Sequence, residues 1–276
     1  CSWVEPISVE YHGLRIWECP PNGQGLAALI ALNLIKGFDL GGQDPLGAAR
    51  LHLQIEAMRL AFADAFHYIA DPDFFAIPIR RLLSDEYARE RRGLINPQAA
   101  QKHVEHGSPP AVSDTVYFCA VDEEGNACSF IASNYMGFGT GIVPSGCGFT
   151  LQNRGHNFSL NPASPNVLAP GKRPYHTIIP AIATFAESGA LHSVFGVMGG
   201  FMQPQGHLQV VIGMADDQLD PQQALDRPRF CLAPGRDDGQ VSLEAGIPPA
   251  TVEGLAAMGH PVEVVHGMKR ALFGRG

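Results

Sequence analysis

Thr115 heads an apolar run, Thr115-Val-Tyr-Phe-Cys-Ala-Val-Asp122, followed by the reversal Glu123-Glu124-Gly125-Asn126 and a second apolar run. A threonine hydroxyl attacks a carbonyl only when a base takes its proton, and a chain-terminal threonine carries that base as its own α-amine. Such an amine titrates near about 7.7 to 8.0 when unperturbed, so part of it is neutral at physiological pH. Freeing it requires a cut between Asp114 and Thr115. Upstream, His103 to Ser113 is polar and holds Pro109-Pro110, the composition of an exposed connection that can accommodate cleavage. Antiparallel pairing about the Glu123–Asn126 turn brings Ser133 or Asn134 opposite Thr115. On the residues alone, Thr115 also reads as an ordinary β-branched strand residue.

A second chemical feature is Gly199-Gly200, between an apolar strand beginning at Ser193 and a helix-like run ending near Met214. Paired glycines at a helix N-terminus expose backbone N–H groups where an oxyanion could be held, and they equally suit a tight turn that needs glycine for steric reasons. Gly137-Phe-Gly139-Thr-Gly141 leads into Ile142-Val143-Pro144 with no lysine following, which is a loop rather than a phosphate cradle. His52 and Glu56 share a helix face with His67 further along, but no HExxH spacing occurs, and a structural histidine is the simpler reading. His156 and His176 fall near the proposed site, where they would orient or bind an acyl group, or else face solvent from their loops. The six cysteines, at 1, 19, 119, 128, 147 and 231, lack metal or scaffold spacing and read as small apolar packing residues. Cys119 and Cys128 lie on facing hairpin strands, within reach of a cross-strand contact. Cys1 is a rival free-amine nucleophile, although the residues after it open no clear paired strand.

The elements that must position these groups are legible in outline. His12–Cys19 predicts a strand, Gly23–Lys36 a helix, and Pro45–Tyr68 a longer helix with Leu51, Ile55, Met58 and Phe62 as its core stripe. Leu82–Leu94 predicts another helix, and Asn96–Ser113 the exposed connection. From Val116 to Asp122 both alternation sets are mostly apolar, which predicts a strand covered on both sides. Gly148–Asn153, Pro180–Phe185 and Leu191–Val197 predict strands, and a helix follows Gly200. Helices, then strands, then helices favour a layered sandwich over alternating βαβ units.

Composition excludes several classes. The chain has 276 residues and a formal net charge of -8, which disfavours nucleic acid or an anionic membrane surface as main partner. Arg80, Arg81, Arg89, Arg91 and Arg92 interleave with Asp85, Glu86 and Glu90, the pattern of a solvated helix face. No stretch approaches the ~18 apolar residues of a membrane span, and no internal repeat divides the chain, so one compact unit is expected.

The ordered runs DTVYFCAVDEEGNACSF, GFGTGIV, PNVLAPGKRP, GVMGG and ALDRPRF resemble the gamma-glutamyltranspeptidase family of N-terminal nucleophile hydrolases. EPISVEYHGLRIWECPPNGQGLAALIALNLIKGFDL is similar to the end of that family's large subunit, so the resemblance covers essentially the whole chain. It implies an α+β fold, a four-layer αββα sandwich incomplete at both ends. It implies a precursor cut between Asp114 and Thr115, with residues 1–114 the C-terminal part of the large subunit and 115–276 the small catalytic subunit. Thr115, Ser133, Gly199 and Gly200 take the catalytic roles, and Tyr135, Arg154, Asn157, His176 and Thr177 the substrate-binding ones. No metal or organic cofactor is implied. The partners implied are a small-molecule amide substrate and the missing N-terminal part of the large subunit, and assembly of processed heterodimers into a homo-oligomer stays open.

Departures from the family pattern are informative. Where gamma-glutamyl enzymes carry Asn-Gln and then an aspartate for the substrate's α-amino group, this chain has Asn153-Arg154 and then Asn157. Two serines that contact the substrate carboxylate are replaced by His176-Thr177. A guanidinium fork suits a carboxylate bidentately, so the pattern is closer to the family's amidohydrolase branch, with its oxamate amidohydrolase-like and cephalosporin acylase-like members. The expected activity is hydrolysis or transfer of a small carboxylate-bearing acyl group through an acyl-enzyme. The alternative is a non-catalytic or unprocessed member serving as a binding or assembly domain.

Overall fold

The computed structural model describes residues 3–101, 113–232 and 239–276. In chain order the elements are β1 (Ile7–Tyr11), β2 (Leu14–Glu18), α1 (Gly25–Ile35), α2 (Ala48–Tyr68), α3 (Ile79–Leu82), α4 (Asp85–Arg92), β3 (Ser113–Val121) and β4 (Ala127–Met136). They continue with β5 (Ala181–Phe185), β6 (Leu191–Phe195), α5 (Met202–Ala215), α6 (Pro221–Asp226), β7 (Phe230–Leu232), β8 (Val241–Glu244), α7 (Pro249–Ala257) and β9 (Val262–Val265). Strands β1-β2-β5-β6 form one antiparallel sheet, β3-β4 a hairpin, and β7-β8-β9 a third sheet whose β8-β9 pair is parallel. The result is an α+β architecture in which the hairpin packs against β6.

Helix α1, Gly-Leu-Ala-Ala-Leu-Ile-Ala-Leu-Asn-Leu-Ile, is apolar all round but for Asn33, and every one of its residues is buried. A helix of that kind belongs inside, and α1 packs on β1 and β2 with α2, α4 and α5 about it. The predicted α2 stripe of Leu51, Ile55, Met58 and Phe62 is core. In α5 the buried polar residues replace missing backbone partners. Gln205 and Gln209 each use the side-chain amide to donate to and accept from a residue of β7, Leu232 and Phe230 respectively, which satisfies both ends of each amide in the core.

Several expectations are corrected. The hairpin is covered on one side only, and there only near its head, since Cys119 and Val121 are exposed beyond Tyr117. On the open face Val116 and Phe118 are 56% and 53% exposed, and Phe118 stacks on Phe130 at 4.7 Å. No described element packs there. The predicted 148–153 strand is irregular chain, because Gly146 and Gly148 take positive φ and residues 150–153 bond to the end of β4 and the loop after it. The helix expected at 82–94 divides, Ser84 leaving α3 and capping α4 by accepting from Tyr87 N–H. Cys119 pairs with Ser129 and Cys128 with Ala120, so the two thiols lie on opposite faces of the hairpin. Of the described cysteines only Cys231 is buried; Cys19, Cys119, Cys128 and Cys147 are exposed, so small-residue packing holds for one. Cys1 and residues 102–112, most of the expected exposed connection, lie outside the described residues.

The part of that connection which is described is anchored. His52 Nε2–H donates to the Asn96 carbonyl at 2.8 Å, so His52 Nδ1 must accept, and His260 Nε2–H donates to it at 2.7 Å. Glu56 accepts from Gln101 N–H, and Ala100 N–H donates to the Met258 carbonyl. His52, Glu56 and His260 are the one group of metal-ligating side chains among the described residues. The His52 and His260 nitrogens that face each other share a proton in a hydrogen bond, the arrangement of structural histidines. Burial, then the Arg59 charge and His52, hold His260 down at about 3. An unfolded histidine takes its proton near about 6.5. The stabilisation is therefore complete above that pH and lost as pH falls toward the native value, by about 1.4 kcal/mol per unit. Urea unfolding between pH 6.5 and 5 is accordingly less steeply pH-dependent, by about that slope, in His260→Gln than in the parent. Equal slopes would refute the assignment.

Candidate active site

The ladder between β3 and β4 breaks at one place. Asp114 pairs with Tyr135 and Thr115 with Ser133, so Asn134 is an extra residue, a bulge opposite the Asp114–Thr115 bond. The bulge turns Asn134 outward, where its side chain donates to Thr150 Oγ1 at 2.8 Å and its carbonyl accepts from Asn153 N–H. Tyr135 is left 1% exposed with φ +81°, a strained backbone for a bulky residue. Thr115 is 7% exposed. Ser133 Oγ accepts from Tyr135 N–H at 2.8 Å, which leaves the serine's own proton to donate.

Residues two apart on a strand share a face, so Thr115 points the same way as Tyr117. The Tyr117 ring lies over Gly196, where a Cβ would stand 2.5 Å from it. Thr115 therefore lies on the hairpin face that packs over Gly196, the residue that opens the run to Gly199 and Gly200. In that loop Gly199 has φ +123° and Gly200 φ +61°. Their carbonyls accept from Met202 and Gln203 N–H at the start of α5, while neither glycine N–H meets an acceptor among the described residues. No side chain caps α5. Two free amides thus stand at the positive end of a 14-residue helix.

Arg154, on a short 3-10 turn from Arg154 to Asn157, is buried against the hairpin. It donates to the Ser133 carbonyl at 3.0 Å and to Thr177 Oγ1 at 3.2 Å, and its guanidinium lies 5.7 Å from the centre of the Tyr135 ring. It forms no ion pair among the described residues, and burial pulls its pKa below the ordinary arginine value. Asn157 donates to the Tyr175 carbonyl at 3.0 Å. The Tyr175–Thr177 segment is fixed from upstream by Arg173, which grips Asp71 through its own N–H and its guanidinium. Hydrogen bonding from Arg173 draws the buried Asp71 carboxyl down to about 2. His176 packs over Gly23, where a Cβ would meet its ring at 2.8 Å. Burial, then the Arg154 and Arg173 charges, lower His176 to about 4, so the ring is neutral at physiological pH. His156 is exposed, 6.3 Å ring to ring from Tyr135.

One residue that sequence reasoning missed ties these parts together. Gln24, fully buried just before α1, donates to both the Thr177 carbonyl at 2.7 Å and the Gly200 carbonyl at 2.9 Å, and accepts from Tyr175 O–H. A continuous network therefore runs from Ser133 through Arg154, Thr177 and Gln24 to Gly200. In sequence Gln24 sits in a glycine-flanked turn, and nothing local marks it. Beside the network is a cavity of about 430 Å³, walled by Phe66, Phe158, Tyr175 and Phe201 with the amides of Asn157, Asn161 and Asn166. Asn157 and Tyr175 join this cavity to the network, while Thr115, Arg154, Gly199 and Gly200 lie outside its walls.

An α+β framework with a hairpin that pairs a threonine at its head with a serine is found in N-terminal nucleophile hydrolases. The fold agrees: the chain superposes on cephalosporin acylase from Bacillus halodurans with TM-score 0.87 and 48% identity, covering 99% of this chain and 48% of that one. The chain belongs to the gamma-glutamyltranspeptidase family, whose sequence model matches residues 1–274. It is 35% identical over 268 residues to the glutathione hydrolase-like YwrD proenzyme of Bacillus subtilis, covering 96% of this chain and 50% of that protein. It is 33% identical over 271 residues to the oxamate amidohydrolase proenzyme of Klebsiella pneumoniae, covering 97% and 50%. The chain thus spans about half the length of these curated relatives.

Proposed function

We propose that this chain supplies the catalytic centre of an autoprocessing amidohydrolase or acyltransferase acting on a small carboxylate-bearing amide. The observation that carries the reading is the register break at Asp114–Thr115, beside which Thr115 pairs with Ser133; the free amides of Gly199 and Gly200 at the start of α5 support it. Relatives that are named as proenzymes, an amidohydrolase among them, support it. In processing, Thr115 Oγ attacks the Asp114 carbonyl carbon, the peptide C–N bond breaks in an N-to-O shift, and water hydrolyses the ester. The products are the part up to Asp114, ending in a carboxylate, and the part from Thr115 with a free amine. In turnover the same oxygen attacks the substrate amide, the threonine amine passes its proton to the leaving nitrogen, and Gly199 and Gly200 N–H hold the oxyanion. Water or an acceptor amine then takes the acyl group.

Arg154 supports the carboxylate-bearing substrate. A buried cation without an anionic partner is costly, and its remaining N–H groups are the natural site for a ligand carboxylate. Asn157, Tyr135, His176 and Thr177 orient that ligand, and the aromatic cavity takes the rest of it. Intact mass of the full-length protein tests the processing: two fragments meeting at Asp114/Thr115 are expected, and a single stable active chain would refute it. A panel of amides with and without an acyl carboxylate tests the substrate class. Arg154→Gln should raise KM for the carboxylate-bearing donors by about 10- to 100-fold and leave neutral donors little changed.

A further inference from the structure

We propose that Glu18 and His207 are positioning residues that hold the oxyanion loop from beneath, an inference that rests on the amidase reading above. Both side chains are fully buried, 189 residues apart in sequence, with His207 Nδ1 2.6 Å from Glu18 Oε1. The Val197 N–H donates to His207 Nε2 at 3.3 Å. A ring nitrogen that accepts carries no proton, so the tautomer is fixed: Nδ1–H donates to the Glu18 carboxylate and Nε2 receives the backbone. Val197 stands two residues before Gly199 and begins the segment that carries the two free amides.

The approach of α5 to this segment is built into the sequence. A Cβ at Gly206 would stand 2.6 Å from Val197 Cγ1, so only glycine lets the helix close far enough for the neighbouring imidazole to reach the Val197 amide. The same loop is held at its far end by Gln24, which donates to the Gly200 carbonyl. Glu18 ends β2 and Gln24 precedes α1. One short connection therefore pins both ends of the Val197–Gly200 segment, by way of His207 at one end and directly at the other.

A purely stabilising role does not account for the pair. Glu18 Oε2 has no hydrogen-bond partner among the described residues, and burial raises the Glu18 pKa, with the His207 interaction opposing it. Removing a carboxylate from water and leaving one oxygen unpaired costs stability that a well-packed apolar pair would not. What the pair does provide is direction: it fixes the peptide leading into Gly199, and so the line along which the two amides point. Donor direction matters most when charge develops on the bound oxygen, so its loss falls on kcat rather than on substrate affinity.

The test uses the full-length protein and a matched pair of variants. His207→Gln places an acceptor near the lost Nε2, whereas His207→Asn matches Nδ1 and cannot reach Val197. We expect His207→Asn to lower kcat by about 10- to 100-fold with KM within twofold, and His207→Gln to recover most of it. Amide hydrogen exchange in the uncut Thr115→Ala background should be faster at 197–200 for Asn than for Gln, a readout independent of turnover. Glu18→Leu should lower kcat as His207→Asn does, and the double variant no further. Equal kcat for the Gln and Asn variants, or a KM rise matching the kcat loss, would overturn the assignment. A parent protein that stays uncut and inactive would instead sink the amidase reading beneath it, while the exchange comparison would still judge the loop.

Discussion

Thr115→Ala leaves the full-length protein as one uncut polypeptide without amidase activity. The expected loss exceeds about 10⁴-fold in kcat, as for removal of an attacking oxygen in other covalent hydrolases. The reason lies in the number of tasks concentrated in this residue. Its hydroxyl attacks the Asp114 carbonyl during processing and the substrate carbonyl during turnover, and its amine exists as a base only after the first event. Nothing else at the site substitutes for it: Ser133 is engaged with Tyr135 N–H, and His176 is held neutral but packed over Gly23. Thr115→Ser keeps the oxygen and should still be cut, more slowly. Intact mass and activity on the same sample check both variants, and normal cutting of the alanine protein would end the mechanism.

The second large effect is expected at Gly199. At φ +123° only glycine is unstrained, and a Cβ there would stand 3.0 Å from Met202 Cβ and 3.3 Å from Gly274 Cα. Gly199→Ala must therefore move the loop, at a cost of about 1 to 3 kcal/mol in stability. Because the moved atoms include the amide that faces the oxyanion, kcat should fall about 10²- to 10³-fold. Gly200, at φ +61°, lies in the left-handed region that an alanine enters at only about 1 to 2 kcal/mol, so Gly200→Ala should do less harm. Kinetics with thermal denaturation on both variants separate the two. A Gly199→Ala enzyme with parental kcat would show that this amide does not serve the reaction.

The hairpin was readable because its turn is local: Glu123–Asn126 sets the centre, and counting outward leads to Ser133 or Asn134 opposite Thr115, of which Ser133 is the partner. Counting did not reveal the bulge at Asn134, since the extra residue is fixed by bonds to Thr150 and Asn153 that no alternation pattern encodes. α1, α2 and the outline of α5 followed from apolar periodicity. β1 and the third sheet escaped because their strands are three to five residues long and carry no clear alternation. Arg154 stood out as a cation where related enzymes are neutral, yet its burial and its bonds to Ser133 and Thr177 depend on packing. Gln24, Glu18 and His207 were invisible for the same reason: Gln24 meets its side-chain partners, and Glu18 meets His207, 150 to 190 positions away.

The left-handed conformation of Tyr135 has a consequence for anyone engineering this protein. A screen that rewards heat resistance alone would leave position 135 untouched: glycine there relieves a backbone penalty of about 1 to 3 kcal/mol but strips out a fully buried ring worth about 3 to 5 kcal/mol. The strained backbone is thus paired with the packing of the same ring that lies beside Arg154, and turnover has to be scored separately to learn what that ring does there.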